Sequence, residues 1–355
     1  MNQPLWTKHL LDESAVRDWI SAVLPGHPNV TGPITVYNAK DWGVTARFAI
    51  DITDGQNYCS DNSLPVSDQA MYQPNEVVFK ACLLPLFSNA PLTYELLTRY
   101  CSINVPEVLA WEKQQGGTWV LFCPFQGETV KSVENLEPLL ELARTMARIQ
   151  VTIAELPSSE TKCLPKTPVE RVPAFLDEII QDIRNKYIAI WSEKGTIAKQ
   201  YNNPSDLLSR LVFFQPKFLE WTAELKSIGH PDSIDHVDLH SENAVVQTDG
   251  NLLIYDWEEA IISHPFFSLD RLLEDALEFG EVGQIAVRQA YLNEIPWGTL
   301  RERERAFDLA MCLSPIKFAY ETKVFDEALG RERGNPKLTA WCVRRALQRW
   351  ESMPT

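Results

Sequence analysis

The sequence lacks both a long apolar run and a cluster of metal-binding cysteines. No apolar stretch approaches the ~18 residues that a membrane span requires, so a membrane-spanning protein is not expected. The seven cysteines are scattered along 355 residues without a C-x-x-C pair, which argues against a zinc ribbon or a dithiol redox motif. We expect most of these thiols to be small buried apolar groups in a reducing compartment.

Basic residues are also scarce, since 33 Lys and Arg oppose 48 Asp and Glu and give a formal net charge of −15. No dense run of Lys and Arg offsets this excess, so DNA, RNA or an anionic membrane surface would be repelled. The start of the chain, Met1 to Trp6, has neither a basic segment followed by an apolar one nor a small-residue cleavage site. We expect a cytoplasmic protein that binds a neutral or cationic small molecule, with no nucleic-acid and no membrane partner.

The first third of the chain is predicted to form a β-rich domain, one of about two domains that the length allows. Runs rich in β-branched and aromatic residues predict strands, and apolar residues at intervals of three and four predict helices. The predicted elements are a helix at 12–24, a hairpin at 34–52, a strand at 76–83, a helix after Asn89, and strands at 105–110 and 118–122. The polar connection at 53–75 is long, and we expect it to be functional or poorly ordered.

The remainder is predicted to be mainly helical, with one hairpin embedded in it. The hairpin strands lie at 243–247 and 252–255, on either side of a tight-turn sequence at 248–251. An α+β protein is therefore predicted, with its β-rich part first. The predicted helical segments are 136–156, 172–191, 206–228 and several from 269 to the end.

Three oxygen-bearing side chains are predicted to surround this hairpin. Asp238 lies in a loop before the first strand, Asn243 opens that strand, and Asp256 follows the second strand. Because hairpin strands pair, Asp256 should return to the neighbourhood of Asn243. An amide oxygen and a carboxylate, completed by water and phosphate oxygens, are typical Mg²⁺ ligands. A third carboxylate nearby can accept or orient the proton of an attacking hydroxyl.

The sequence resembles the aminoglycoside phosphotransferase family, which includes choline-type and other small-molecule kinases and is related in fold to protein kinases. The resemblance rests on H-x-D-x-x-x-x-N at His236, Asp238 and Asn243, and on D-x-E at Asp256 and Glu258. It implies ATP as the phosphoryl donor, with GTP as an alternative, and Mg²⁺ as the metal. Asp238 would be the catalytic base, Asn243 and Asp256 the metal ligands, and Glu258 a ligand of a second metal.

The resemblance extends upstream in the order of the family. Lys80 resembles the strand lysine that holds the α- and β-phosphates, and Glu95 resembles the helix carboxylate that pairs with it. The segment that contains Phe122, Cys123 and Phe125 resembles the hinge whose backbone binds adenine. The resemblance thus implies that these five residues bind the nucleotide.

The fold implied by the resemblance is bilobal and protein-kinase-like. Residues 1–122 would form a β-rich N-terminal nucleotide-binding lobe, 123–127 the hinge, and 128–355 a mainly helical C-terminal lobe for catalysis and substrate binding. The match runs in the right order from about residue 30 to residue 275.

The chain also departs from the family pattern. The catalytic loop has Val237, Ser241 and Glu242 where the family commonly has Gly, Pro and Gly, so its backbone is expected to differ. A G-x-G-x-x-G loop is absent, and the turn around Trp42 and Gly43 would have to cover the phosphates.

Each candidate residue also has a structural interpretation. Lys80 could extend from its strand to solvent, Asn243 could stabilise a turn, and Asp256 could cap the next segment. The order of the motifs along the chain favours the functional interpretation. We therefore predict an ATP- and Mg²⁺-dependent phosphotransferase that transfers the γ-phosphoryl group to a hydroxyl of a small molecule.

Two other interpretations are left open. The altered loop is compatible with a catalytically silent kinase-like module that binds nucleotide or regulates a partner, and a coincidental motif would leave an ordinary α+β scaffold. The sequence does not specify the acceptor either. An aminoglycoside, a choline-like amine, an amino alcohol or a sugar is compatible with the resemblance, because the substrate is determined by the site rather than by the fold. The oligomeric state is likewise not predicted.

Overall fold

The structure is a computed structural model that describes residues 11–51, 76–114, 117–132, 134–193, 204–331 and 334–353. The polar connection at 53–75, for which we expected a functional role or poor order, lies outside these residues. By contacts the chain divides into two units. Unit 1 comprises Met1–Thr145, Pro157–Leu164 and His240–Glu259, and unit 2 comprises Met146–Leu156, Pro165–Leu239 and Ala260–Thr355.

Unit 1 is built on a five-stranded antiparallel sheet with the strand order β1-β2-β3-β5-β4. Strand β2 alternates between buried and half-buried side chains, as expected for a strand with one face on the core, whereas the central strands β3 and β5 are buried along most of their length. Its strands and helices are α1 (Glu13–Val23), β1 (Val30–Lys40), β2 (Gly43–Ile50), β3 (Glu76–Cys82), α2 (Ala90–Cys101), β4 (Val108–Gln114) and β5 (Gly117–Phe122).

The core of this sheet is aromatic. Trp19 of α1 packs edge-to-face on Phe79 of β3 and on Trp119 of β5, with ring centroids 6.0 and 5.5 Å apart. Phe79 and Trp119 also contact each other at 5.5 Å. Because Phe79 points into this core, the next residue on β3 points to the opposite face of the sheet. That residue is Lys80.

A second, three-stranded antiparallel sheet in unit 1 consists of β6 (Glu128–Thr129), β9 (Ala244–Val246) and β10 (Leu252–Ile254). The β9–β10 hairpin is closed by a turn in which Gly250 donates its N–H to the Gln247 carbonyl at 2.9 Å. Gly250 has φ +84°, a left-handed conformation that glycine adopts without strain. The turn therefore fixes the register that pairs Ile254 with Ala244.

Unit 2 is mainly helical. Its small sheet joins β7 (Lys166–Thr167), β11 (Ile261–Ser263) and β8 (Ser233–Asp235), in that order. A short π-helical segment at Ile183–Tyr187 connects two of the helices. The helices, the first of which begins in unit 1, are α3 (Glu137–Ala154), α4 (Val172–Asp182), α5 (Ile188–Glu193), α6 (Pro204–Ile228), α7 (Leu269–Asp275), α8 (Gly280–Glu294), α9 (Leu300–Ala328) and α10 (Pro336–Ser352).

The elements predicted from periodicity are present within one to a few residues of their expected bounds wherever the chain is described. Four of the cysteines are buried free thiols, as expected, whereas Cys163 is exposed. Among the residues described, no helix combines the length and apolar character needed to cross a membrane. The division at a hinge of residues 123–127 stays a prediction, since the two units are defined by contacts and are distributed differently along the chain.

The Gly250 turn provides a test of how the hairpin is held. No atom lies within 4 Å of a Cβ added at Gly250, so a substitution there changes only the backbone preference. We expect Gly250→Ala to lower the free energy of unfolding by about 1–2 kcal/mol. Gly250→Asn should recover most of that loss, because Asn tolerates the left-handed conformation. Denaturant midpoints measure both effects, and an alanine variant as stable as the parent would contradict the assigned turn.

Candidate active site

Lys80 is the centre of a charged cluster in unit 1. Its strand neighbours Phe79 and Ala81 are buried in the core, and its own side chain, 16% exposed, lies on the other face of β3. The ammonium nitrogen is 2.6 Å from Asp256 Oδ1 and 2.7 Å from Glu258 Oε1. Burial alone would lower the pKa of Lys80, but the two carboxylates raise it well above its ordinary value. The ammonium therefore stays charged.

The two carboxylates of the cluster differ in exposure. Glu258 is 7% exposed and also accepts a hydrogen bond from the Tyr94 hydroxyl at 3.0 Å, whereas Asp256 is 47% exposed. Burial raises the pKa of Glu258, and the Lys80 ammonium opposes that rise. Glu258 is thus the fixed partner of Lys80, while Asp256 presents carboxylate oxygen to solvent.

Glu95 does not form the predicted ion pair with Lys80. Its carboxylate is exposed and accepts a hydrogen bond from Trp111 Nε1 at 2.6 Å. Successive helix residues point about 100° apart, and in α2 it is Tyr94, one residue earlier, that faces the lysine cluster. The Tyr94 hydroxyl accepts from the Trp257 N–H at 3.2 Å and donates to Glu258. The place expected for Glu95 beside Lys80 is therefore taken by Glu258, with Tyr94 as its support.

Asn243 and Asp256 lie at the same end of the β9–β10 hairpin, as the strand pairing predicted. The last paired residues are Ala244 and Ile254, and beyond them the Tyr255 N–H donates to the Asn243 carbonyl at 3.0 Å. Asp256, the next residue, has φ +66°. An amide and a carboxylate at one end of a hairpin provide hard oxygen donors of the kind that suits Mg²⁺.

Asp238 belongs to unit 2 and follows a strained residue. Its Oδ1 is 2.7 Å from Arg271 Nη1, an ion pair that involves the first turn of α7. Val237 has φ +71°, and its N–H donates to Asp235 Oδ1 at 3.0 Å. A β-branched residue in the left-handed region is strained. The resemblance led us to expect glycine at this position. Val237 adopts the left-handed backbone that glycine would adopt without strain.

The hinge residues have specific packing roles. Phe122 is buried and packs edge-to-face on Tyr94, with ring centroids 4.7 Å apart. The Cys123 N–H donates to the Glu107 carbonyl at 2.9 Å, and the half-buried Phe125 ring lies 5.4 Å from the Tyr255 ring. Phe122 is thus a core residue and Cys123 is held by a backbone hydrogen bond, whereas the Phe125 ring is half-buried against Tyr255. Binding of adenine by this segment stays a prediction.

Comparison with known proteins identifies the family. A family model described as the phosphotransferase enzyme family matches residues 96–307, which is more than half of the chain. The chain belongs to the phosphotransferase enzyme family. This match confirms the predicted family of small-molecule kinases. The matched range includes Asp238 and the hairpin residues, whereas Lys80 and Glu95 precede it.

Solved structures confirm the predicted kinase-like α+β fold of this phosphotransferase. A choline kinase from Cryptosporidium parvum superposes with a TM-score of 0.57 at 13% identity, with 96% of each chain covered. A macrolide 2'-phosphotransferase type I gives 0.56 at 13% identity, covering 94% of this chain and 97% of that one. An ethanolamine kinase from Plasmodium vivax gives 0.55 at 10% identity, covering 88% and 81%. No curated protein matches the chain by sequence.

Two residues of the site were not anticipated. Tyr94 shares the buried face of α2 with Leu97 and Cys101, and its spacing from them is a signal that could have indicated burial but not its hydrogen bond to Glu258. Burial and the charge of Glu258 raise the pKa of the Tyr94 hydroxyl, which keeps it a donor. Arg271 carried no sequence signal, because its partner Asp238 is distant in the sequence.

The strain at Val237 can be tested by substitution. A left-handed non-glycine residue costs about 1–3 kcal/mol, and glycine relieves this at an entropic cost of about 0.5–1 kcal/mol. We expect Val237→Gly to leave the denaturant midpoint unchanged or to raise it. The control Val246→Gly, in the extended strand β9, should lower it. Equal losses in the two variants would show that Val237 is not strained.

Proposed function

We propose that this phosphotransferase transfers the γ-phosphoryl group of ATP, or of GTP, to a hydroxyl of a small molecule with the help of Mg²⁺. The observation that carries the proposal is the pairing of the Lys80 ammonium with Asp256 and Glu258, beside Asn243, within one unit. This cluster combines a fixed cation for phosphate oxygens with the oxygen donors that a magnesium ion requires.

Lys80 would bind the α- and β-phosphate oxygens of the nucleotide. Its buried partner Glu258 holds the ammonium in place, and Tyr94 holds Glu258, so the cation is oriented before the nucleotide arrives. Such pre-organisation avoids the cost of arranging charges during the reaction. The proposed role of Glu258 is accordingly to hold Lys80, in place of a second-metal role.

Asn243 and Asp256 would hold the magnesium ion through their side-chain oxygens. When bound, Mg²⁺ neutralises charge on the β- and γ-phosphates. The more exposed of the two carboxylates bound to Lys80 is Asp256, and it is the one available to a cation.

Asp238 would orient the acceptor hydroxyl and take its proton. The acceptor oxygen forms a bond to the γ-phosphorus while the bond from that phosphorus to the β-phosphate oxygen breaks, releasing ADP and the phosphorylated acceptor. The ion pair with Arg271 places a positive charge 2.7 Å from the Asp238 carboxylate. The net charge of −15 favours acceptors that carry an amine. Choline and ethanolamine, which appear in the names of two structural neighbours, are acceptors with a cationic nitrogen.

The same Arg271–Asp238 ion pair supports a second candidate function. A carboxylate bound to an arginine is a weaker base, which would suit a silent module that binds nucleotide without transferring phosphate. The two functions differ in turnover. A kinase releases ADP faster when its acceptor is added, whereas a silent module binds nucleotide and releases none against a broad panel of alcohols.

The role of Asp238 is tested by Asp238→Asn. Removing the proton acceptor should lower the rate of ADP release by about 10²- to 10⁴-fold. The affinity for ATP should stay nearly unchanged, because Lys80 and the hairpin carry that binding. Coupled ADP detection with a panel of amino alcohols, sugars and aminoglycosides measures the rate. Asp249→Asn, in the exposed hairpin turn, is the matched control, and equal rates in both variants would remove Asp238 from the mechanism.

The division of labour between the two carboxylates is tested by melting shifts. Nucleotide at about 100 times its Kd stabilises a protein by roughly 2.7 kcal/mol. We expect ATP to raise the melting temperature more with Mg²⁺ than without it, and Asp256→Asn to abolish the difference. Glu258→Gln should weaken the ATP shift equally with and without Mg²⁺, because it disturbs Lys80. A full Mg²⁺ effect in Asp256→Asn would contradict the assignment.

A further inference from the structure

A completely buried carboxylate lies shortly before Asp238 in unit 2. Asp235 ends β8 and is 0% exposed. Its Oδ1 accepts hydrogen bonds from the Val237 N–H at 3.0 Å and from the Ser268 hydroxyl at 2.8 Å. Its Oδ2 accepts from the Lys317 ammonium at 2.8 Å. One side chain therefore binds the backbone next to Asp238, a hydroxyl and a cation.

Ser268 holds the neighbouring peptide group. It is buried, its hydroxyl oxygen accepts from the His236 N–H at 3.0 Å, and Gln150 Nε2 lies 3.2 Å from that oxygen. Gln150 in turn donates to the carbonyls of Ile234 and Pro265, both at 2.8 Å. The backbone N–H groups of both residues that precede Asp238 are thus bound by buried side chains.

Lys317 of α9 places a positive charge against the buried Asp235 carboxylate. It is 3% exposed and lies between Asp235 Oδ2 at 2.8 Å and Glu321 Oε1 at 2.5 Å. Burial alone would lower the pKa of Lys317, but the two carboxylates raise it above its ordinary value. A carboxylate neutralised in this way accepts several strong hydrogen bonds at once.

We propose that Asp235, Ser268 and Lys317 form a buried clamp that positions Asp238 for phosphoryl transfer. The clamp binds the backbone N–H groups of His236 and Val237, the two residues before Asp238, and Val237 has a left-handed conformation. A strained backbone persists only when its surroundings over-determine it. All three residues are positioning residues, because they reach the reaction only through the loop. The proposal rests on the proposed role of Asp238 as the base.

A purely structural role would show itself differently. If the clamp only stabilised unit 2, its loss would lower the melting temperature and leave the surviving folded enzyme unchanged. A positioning role also predicts faster local exchange of the amides of His236 and Val237. It further predicts a lower kcat with an unchanged KM for ATP, since misplacing a reacting group by about 1 Å can cost about a hundredfold in rate.

The first experiment compares Ser268→Ala with Ser268→Thr, which keeps the hydroxyl. Hydrogen exchange is measured at the amides of His236 and Val237 in the full chain, and slow hydrolysis of MgATP with water as acceptor is measured in parallel. Ser268→Ala should speed exchange at these amides about tenfold, the equivalent of one lost hydrogen bond. It should also lower kcat tenfold to a hundredfold. Ser268→Thr should resemble the parent.

Thr222→Val is the matched control, because it removes another buried hydroxyl of unit 2, one bound to the Phe218 carbonyl. It should lower the melting temperature without changing the exchange rates or kcat.

Exchange rates in Ser268→Ala equal to those of the parent would overturn the clamp. Faster exchange with parental kcat would overturn its role in catalysis. If Asp238→Asn hydrolyses MgATP like the parent, the proposed function fails, and the exchange rates alone then decide whether the clamp holds the loop.

The second experiment tests the ion pair. Lys317→Met alone would leave the Asp235 carboxylate buried without its cation and can prevent folding. The combined Asp235→Asn and Lys317→Met variant removes both charges of this pair and keeps an oxygen acceptor for the Val237 N–H, and the remaining carboxylate, Glu321, is 21% exposed and can be hydrated. Because an amide oxygen is a weaker acceptor, exchange at Val237 should rise about tenfold and kcat should fall at constant KM. Parental values of both would show that the ion pair plays no part in positioning.

Discussion

A lysine ammonium that is withdrawn from water has to be surrounded by carboxylates, and this constraint organises both units of the chain. In unit 1 Lys80 lies between Asp256 and Glu258, and in unit 2 Lys317 lies between Asp235 and Glu321. A buried charge without partners is strongly destabilising. Each lysine therefore ties together chain segments that are far apart in sequence, and each fixes the backbone beside a candidate functional residue.

Backbone strain is concentrated at the same places. Of the residues described, three non-glycine residues have positive φ, and two of them are Val237, next to Asp238, and Asp256 itself. Left-handed backbone directs a side chain where a regular strand or turn would not. Both residues are connected to a lysine ion pair: Asp256 itself pairs with Lys80, and the Val237 N–H donates to Asp235, the partner of Lys317. The left-handed conformations and the lysine ion pairs thus occur together, next to the carboxylates of Asp238 and Asp256.

Much of this could be predicted from the sequence because it depends on local patterns. Periodicity located the helices and strands, and the turn at Gly250 returned Asp256 to Asn243. The carboxylates that pair with Lys80 could not be predicted in this way. Helix phase decides that Tyr94 rather than Glu95 faces the lysine cluster, and the ion pairs are formed by Asp256 and Glu258 instead. The Asp235–Lys317 pair was equally out of reach, since it joins a strand end to a distant helix and neither residue belongs to a motif. Spacing predicts which groups are present, whereas tertiary packing decides which of them meet.

Unit 1 is assembled from three separate stretches of chain, the last of which is His240–Glu259. The sheet that carries Lys80 is synthesised early, but both of its carboxylate partners belong to that last stretch. During translation from the N-terminus, at about 5–20 residues per second, the lysine emerges well before the residues that neutralise it. The nascent sheet must therefore keep this cation hydrated until about half of unit 2 has also been made. Pairing of Lys80 with its carboxylates is thus a late event in the biogenesis of the protein, and it marks the point at which the charged cluster first exists.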